Sequence, residues 1–188
     1  KATVLFSHGS GRNISGYLDD VAQFHELGLS VLLYDYGGYG LSTGEPSEQR
    51  CYADARAFWD YLVTVEEIAP NTIILAGASM GSGVTCELAA QVTPAAVILE
   101  SAFTSVPELL WDTYPYFPVN WICHIQFRNI DKISGFTCPV LVMHSKDDTV
   151  VPFEHGQRLY DHVKAPKVFV EVRGAHYGGK FTSKEVYM

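Results

Sequence analysis

Six short runs rich in valine, isoleucine and leucine recur along the chain, and helix-like stretches separate most of them. The apolar character within each run is continuous rather than alternating, as expected for strands that helices cover on both faces. The pattern predicts an α/β fold with a doubly wound, mostly parallel sheet of about six strands, whose ligand site lies at the carboxyl ends of the strands. The predicted strands are 2–7, 30–35, 72–77, 95–100, 139–144 and 167–172.

Helix signals fill four of the intervals between these strands. Gly28 follows the first helical stretch as a stop signal, and Ser47 is placed to cap the start of the second. The predicted helices cover 17–27, 47–67, 80–92 and 153–163.

The alternation is interrupted once, by an insert at about 103–136 that is rich in aromatic residues and prolines. Its composition predicts a short cap rather than a helix that crosses the sheet. Aromatic segments above a strand edge can wall an apolar pocket, and the alternative is that these side chains only pack on the domain. The candidate pocket residues are Phe103, Trp111, Tyr114, Phe117 and Trp121.

Length and charge narrow the function classes. With 188 residues and 47% hydrophobic content, the chain can bury one substantial core, so we expect a single domain over 1–188. A formal net charge of -8 argues against nucleic acid as a partner and favours a small or apolar substrate.

The spacing of the cysteines and the length of the apolar runs indicate where in the cell the protein is located. Four widely spaced cysteines show no zinc-ligand spacing, so they are interpreted as buried thiols in a reducing compartment and no metal is expected. No run reaches the roughly 18 apolar residues of a membrane span. We therefore expect a location in the cytoplasm or at the cytoplasmic face of a membrane. The chain opens at Lys1 without an initiator Met, so membrane contact through other segments stays open, as does the oligomeric state.

The segment Gly77-Ala78-Ser79-Met80-Gly81 lies between a predicted strand and a predicted helix. A serine on such a sharp turn exposes its hydroxyl, while the small glycines let the two elements pack closely around it. The pattern predicts a nucleophile elbow with Ser79 as the nucleophile.

A serine nucleophile needs a base and an orienting carboxylate. His176 follows the final predicted strand in a glycine-bearing loop, which makes it the candidate base. Asp147 and Asp148 follow the fifth strand; the position three residues before Val151 favours Asp148, but the pattern alone does not separate the neighbours. Glu100, at the end of the fourth strand, is a weaker candidate acid.

The glycine-bearing loop after the first strand carries His8, Gly9 and Ser10. Acyl transfer requires N–H donors for the charge that develops on the attacked carbonyl oxygen. The candidate donors of this oxyanion hole are the backbone N–H groups of Ser10 and Met80. An ordinary tight turn would also explain the glycines.

Nearly the whole chain resembles the α/β-hydrolase family. Besides His8-Gly9, the elbow and the loops of Asp148 and His176, the resemblance rests on the string D-Y-x-G-Y-G-x-S-x-G-x-P-S-E that begins at Asp35. The string is similar to that of a subgroup that includes protein depalmitoylases and related membrane-tethered hydrolases. The resemblance implies a triad of Ser79, Asp148 and His176, an oxyanion hole at Ser10 and Met80, and no cofactor. The two antiparallel strands that commonly precede His8-Gly9 in this family are not seen.

Three hypotheses follow. The first is a serine hydrolase of carboxylic esters or thioesters, acting on a small acyl ester or an acylated protein. The second is a serine peptidase of the same fold, and the third is a catalytically silent binding module.

Overall fold

A computed structural model of the protein describes residues 1–116, 118 and 123–176. The sheet within these residues has six strands in the order β2-β1-β3-β4-β5-β6, and all neighbouring pairs run parallel. This confirms the predicted doubly wound sheet. The strands are β1 Thr3–Ser7, β2 Ser30–Leu33, β3 Ile73–Ala78, β4 Ala96–Glu100, β5 Val140–Ser145 and β6 Lys167–Val172.

Helices cover both faces of the sheet. They are α1 Leu18–Glu26, α2 Glu48–Thr64, α3 Met80–Ala89, α4 Val106–Thr113, α5 Ile130–Ile133 and α6 Phe153–His162, with 3-10 turns at Ile14–Tyr17 and Pro70–Thr72. The Ser47 hydroxyl caps α2 by accepting the Arg50 N–H at 3.1 Å. Helix α2 ends three residues before its predicted end, because Glu67 takes a positive φ of 53° and the Ile68 N–H turns back to the Leu62 carbonyl at 2.9 Å.

Each central strand contributes side chains to two cores. In β1, Val4 and Phe6 pack with Tyr17 on the side of α1, whereas Leu5 belongs to the larger core on the opposite side. The larger core also takes side chains from α2, α3 and α6. Burial on both faces explains the continuous apolar runs of the sequence.

The segment between β4 and β5 is tied to the body of the protein by Glu48. Its carboxylate accepts the backbone N–H of Gln126 at 2.6 Å and that of Phe127 at 2.8 Å, and the hydroxyl of Tyr52 at 2.6 Å. Phe127 packs on α3 against Gly83, where any Cβ would overlap the Phe127 ring. The predicted cap region thus contains helices α4 and α5 and is anchored to α2 and α3.

Across the part of the chain that the structure describes, no helix has the length and apolar character required to cross a bilayer.

Replacing Glu48 with Ala should lower the free energy of unfolding by about 2 to 3 kcal/mol, because the N–H groups of Gln126 and Phe127 lose their acceptor while remaining largely shielded from water. Urea denaturation followed by tryptophan fluorescence measures the change. The exposed Glu45 provides the matched control, and Glu45→Ala should stay within about 0.5 kcal/mol of wild type. Equal effects of the two substitutions would contradict the anchoring role of Glu48.

Candidate functional site

Ser79 stands between β3 and α3 in a strained backbone conformation, with φ 53° and ψ -121°. Positive φ is costly for a residue with a side chain and persists only where the surroundings enforce it. Here the Ser79 N–H donates to the Glu100 carbonyl at 2.9 Å, and the Ser79 carbonyl accepts the Ser82 N–H at 2.9 Å. The turn is therefore held from both the sheet and the helix.

The glycines of the turn are required by close backbone packing. A Cβ on Gly81 would overlap the Ser7 carbonyl oxygen, and a Cβ on Gly77 would overlap the Gly81 carbonyl oxygen and the Thr85 hydroxyl. The start of α3 thus lies directly against the ends of β1 and β3. Any larger side chain would push the helix, and Ser79 with it, away from the sheet.

The structure brings Ser79, His176 and Asp148 together at the carboxyl edge of the sheet. The distance from Ser79 Oγ to His176 Nε2 is 2.9 Å, and that from His176 Nδ1 to Asp148 Oδ2 is 2.7 Å. The side chains of His176 and Asp148 are 3% and 0% exposed. The three groups form a continuous hydrogen-bonded line from a hydroxyl through an imidazole to a buried carboxylate.

Asp148 is held as an anion by its neighbours. Burial alone would raise the pKa of Asp148, but the hydrogen bond and charge of His176 and the N–H groups of Val150 and Val151 outweigh burial and lower the pKa. Both N–H groups donate to Oδ1 at 2.9 Å, which leaves Oδ2 for His176. The carboxylate is therefore fixed in orientation as well as in charge.

Asp147 has a different environment from its neighbour. Its Oδ2 accepts the N–H of Gly174 at 3.1 Å, and its own N–H donates to the Ser145 hydroxyl at 3.0 Å. The bond to Gly174 ties the loop after β5 to the loop that carries His176. The adjacent aspartates, which the sequence did not separate, thus make different contacts.

Glu100 carries a second carboxyl at the same edge. It is the last residue of β4 and pairs with Ala78 in β3 and Met143 in β5. Burial, with the charge of Asp148 added, raises the pKa of Glu100 to about 8. At neutral pH Glu100 is mostly protonated while Asp148 is ionised.

The loop that follows β1 passes directly beside the elbow. A Cβ on Gly9 would lie 3.2 Å from Ser79 Cβ and 3.3 Å from the Ala78 carbonyl oxygen. Ser10 is exposed at the next position, and Met80 is the first residue of α3, where an N–H has no acceptor within the helix. The two predicted oxyanion donors therefore belong to backbone segments that flank Ser79.

Three other histidines, His8, His144 and His155, are buried, and burial lowers the pKa of each. His144 Nε2 donates to the Val151 carbonyl at 3.0 Å, and the Thr104 N–H donates to His155 Nδ1 at 3.2 Å. Within residues 1–116, 118 and 123–176, no group of three or more His, Cys, Asp or Glu side chains is arranged to hold a metal ion.

The predicted pocket residues of the insert are dispersed. Phe103 is 3% exposed and belongs to the larger core. Trp111, which is 50% exposed, lines a surface pocket together with Glu108 of α4 and Arg158 of α6, and Tyr114 is 55% exposed. Phe117 and Trp121 lie outside the described residues.

Two contacts could not be predicted from sequence motifs. The Tyr17 hydroxyl accepts the Gly9 N–H at 3.0 Å, whereas the sequence pattern predicts Tyr17 only as the start of a helix. His155 bridges Thr104 to α4, with its Nε2 3.0 Å from Asp112 Oδ2. The first contact joins residues 8 positions apart and the second joins residues 51 positions apart, and neither follows from a local sequence pattern.

Comparisons with known proteins agree with this architecture. Residues 1–128 match the family described as serine aminopeptidase, S33. The alpha/beta hydrolase domain-containing protein 17B of Homo sapiens is 38% identical over 181 residues, which cover 93% of this chain and 60% of the human protein. An uncharacterized protein of Mycobacterium tuberculosis, MT2364, is 38% identical over 171 residues, covering 91% of this chain and 61% of that protein. The chain thus spans about 60% of the length of these curated relatives.

Solved structures share the fold. Est1E from Butyrivibrio proteoclasticus, with ferulic acid bound, superimposes with a TM-score of 0.81 at 19% identity, covering 100% of this chain and 87% of that one. An alpha-beta hydrolase from Vibrio vulnificus gives a TM-score of 0.79 at 24% identity, covering 97% of this chain and 70% of that one. The resemblance inferred from the sequence motifs is confirmed: the chain belongs to the α/β-hydrolase family.

Proposed function

We propose that the protein is a serine hydrolase that cleaves carboxylic esters or thioesters of acyl groups. The observation that carries the proposal is the unbroken line from Ser79 Oγ to His176 at 2.9 Å and on to Asp148 at 2.7 Å. Both distances are within the range for direct proton transfer or orientation in a catalytic site. Membership of a hydrolase family supports the same reaction class.

In the proposed mechanism, His176 Nε2 takes the proton of the Ser79 hydroxyl as Ser79 Oγ attacks the substrate carbonyl carbon. The N–H groups of Ser10 and Met80 stabilise the oxyanion of the tetrahedral intermediate. As the intermediate collapses, His176 returns the proton to the departing alcohol or thiol and an acyl-enzyme remains. Water, activated by His176, then hydrolyses that ester and restores Ser79.

The two acids at the site have separate roles in this mechanism. Ionised Asp148 accepts the Nδ1–H of His176, which keeps the Nε2 lone pair directed at Ser79 and stabilises the imidazolium that forms. Protonated Glu100 adds no second negative charge beside Asp148 at neutral pH. The charge that orients His176 is thus confined to one carboxylate.

Acyl substrates are favoured by the composition of the chain. The chain carries a net charge of -8 and an aromatic insert, with Trp111 and Tyr114 half exposed on its described part. Solved structures of the same fold include a chain described under the lipolytic enzymes LipS and LipT, with a TM-score of 0.74, and Est1E with ferulic acid. We infer that the acyl group of a small ester or an acylated protein binds along this insert.

A peptide substrate is the second candidate, because the matching family is described as serine aminopeptidase. Turnover of an acyl thioester, a monoacylglycerol and an aminoacyl amide, compared at equal concentration, separates the two. The proposal predicts kcat/KM at least tenfold higher for the acyl substrates. A preference for the amide would assign the protein to the peptidases.

Replacing Ser79 with Ala should reduce kcat for a p-nitrophenyl ester by about 10^4- to 10^6-fold, since the proposed acyl-enzyme forms on the Ser79 oxygen. Thermal unfolding of the variant checks that it remains folded. Wild-type turnover by a folded Ser79→Ala protein would refute the proposal.

The adjacent aspartates provide a matched pair of variants. Asp148→Asn should lower kcat by about 10^3- to 10^4-fold, because an amide neither selects the required tautomer of His176 nor stabilises its cation. Asp147→Asn leaves the bond between Asp148 and His176 in place and should lower kcat by less than about tenfold. Steady-state kinetics on the same ester measures both, and a larger loss for Asp147→Asn would exchange the two roles.

The raised pKa of Glu100 predicts a pH-dependent effect on stability. Between its ordinary value of 4.5 and about 8, the carboxyl is ionised in the unfolded chain but still protonated in the folded protein, so its contribution to stability falls as pH rises through this window. Glu100→Gln removes that loss. Urea denaturation from pH 5 to 9 should show the variant gaining stability relative to wild type up to about pH 8 and then levelling off, whereas a constant difference would contradict the assignment.

A further inference from the structure

Three tyrosines surround the buried ring of His8. The ring centroids of Tyr36, Tyr17 and Tyr39 lie 4.6, 5.5 and 5.6 Å from that of His8. Tyr17 comes from the 3-10 turn before α1, whereas Tyr36 and Tyr39 belong to the D-Y-x-G-Y-G string after β2. We call these three residues the tyrosine cage.

Two hydroxyls of the cage hold a single peptide unit from opposite ends. Tyr36 donates its hydroxyl hydrogen to the His8 carbonyl at 2.8 Å, and the Gly9 N–H donates to the Tyr17 hydroxyl oxygen at 3.0 Å. Both backbone groups belong to the His8–Gly9 peptide, which is planar. Its orientation is therefore fixed by phenols from two separate segments.

The next peptide unit, Gly9–Ser10, is held by the His8 ring. Because a carbonyl oxygen only accepts, His8 Nδ1 donates to the Gly9 carbonyl at 2.8 Å. In a trans peptide the N–H points opposite to the C=O. The Ser10 N–H therefore points away from the His8 ring, on the opposite side of its peptide.

The cage also reaches the elbow itself. The position of a Cβ on Gly9 would be 2.8 Å from the Tyr17 hydroxyl and 3.2 Å from Ser79 Cβ, so the loop is enclosed between the phenol and the nucleophile. On the other side, the Tyr39 hydroxyl donates to Met80 Sδ at 3.7 Å. The cage thus contacts the segments of both proposed oxyanion donors.

We propose that Tyr17 and Tyr36 are positioning residues for acyl transfer, which hold the His8–Gly9 peptide so that the Ser10 N–H stays directed at the oxyanion. The inference rests on the proposed hydrolase function. An oxyanion hole is effective because its donors are oriented before charge develops, so a donor on a glycine loop needs such external restraint. Tyr17 and Tyr36 are 5% and 0% exposed, which places their hydroxyls where water does not compete for these bonds.

Tyr34 provides a matched control within the same aromatic cluster. It is 3% exposed and contacts Tyr36 with ring centroids 5.3 Å apart, but its hydroxyl bonds to the Ser7 hydroxyl at 2.7 Å. A Tyr→Phe change at Tyr34 or at Tyr17 removes one buried hydroxyl from the same region of the protein. Only the change at Tyr17 releases the Gly9 N–H.

The test compares Tyr17→Phe with Tyr34→Phe on a p-nitrophenyl ester. We expect Tyr17→Phe to lower kcat by about 10- to 100-fold, less than loss of an oxyanion donor itself, with KM within about twofold. Affinity for an alkyl trifluoromethyl ketone, whose adduct with Ser79 carries the oxyanion, should fall by a similar factor. Tyr34→Phe should shift the unfolding midpoint comparably and leave kcat and ketone affinity within about twofold of wild type.

Tyr36→Phe tests the carbonyl side of the same peptide and keeps the test decisive if Tyr17→Phe does not fold. The proposal is overturned if the folded cage variants retain wild-type kcat and ketone affinity, or if Tyr34→Phe loses as much of both. Failure of the proposed function itself would look different, because the folded Ser79→Ala variant would then retain the turnover of the wild type.

Discussion

The close contact between the start of α3 and the end of β1 determines where Ser79, the proposed nucleophile, stands. Gly81 lies so near the Ser7 carbonyl that no side chain fits, and the Ser79 N–H is bonded to Glu100 in the neighbouring strand. With helix and sheet both fixed, Ser79 has no room to relax from its positive φ. Packing on both sides offsets the backbone strain at Ser79. The Ser79 hydroxyl therefore lies at the sheet edge, within hydrogen-bond distance of His176.

Electrostatics at this edge follow from unequal environments for two nearby carboxyls. Asp148 has two backbone N–H donors and His176, which lower its pKa despite burial. Glu100 is desolvated and is next to that anion, so its pKa rises to about 8. One negative charge is thus retained where the imidazole needs it. The same separation of protonation states by environment is common where acids of one type have different tasks.

The sequence predicted what depends on local pattern. The six strands, the Ser47 cap and the Gly-x-Ser-x-Gly turn each follow from a few consecutive residues, and the strands lie within two residues of their predicted bounds. Contacts between distant residues could not be predicted in this way. Glu48 bonds to Gln126 and Phe127, which follow it by 78 and 79 residues. Asp147 and Asp148 differ only in the loop atoms that each of them contacts. Glu67 takes a positive φ just after α2 ends, and glutamate is not a residue type that predicts such a backbone conformation.

The proposed triad is tested most directly by the site of covalent modification by a fluorophosphonate, located by peptide mass spectrometry on the folded protein. A triad of Ser79, His176 and Asp148 predicts one adduct, on the oxygen of Ser79, and a modification rate that collapses when His176 is replaced by Ala, because the hydroxyl then has no base. An adduct on a different residue, or labelling of Ser79 at an undiminished rate without His176, would contradict it.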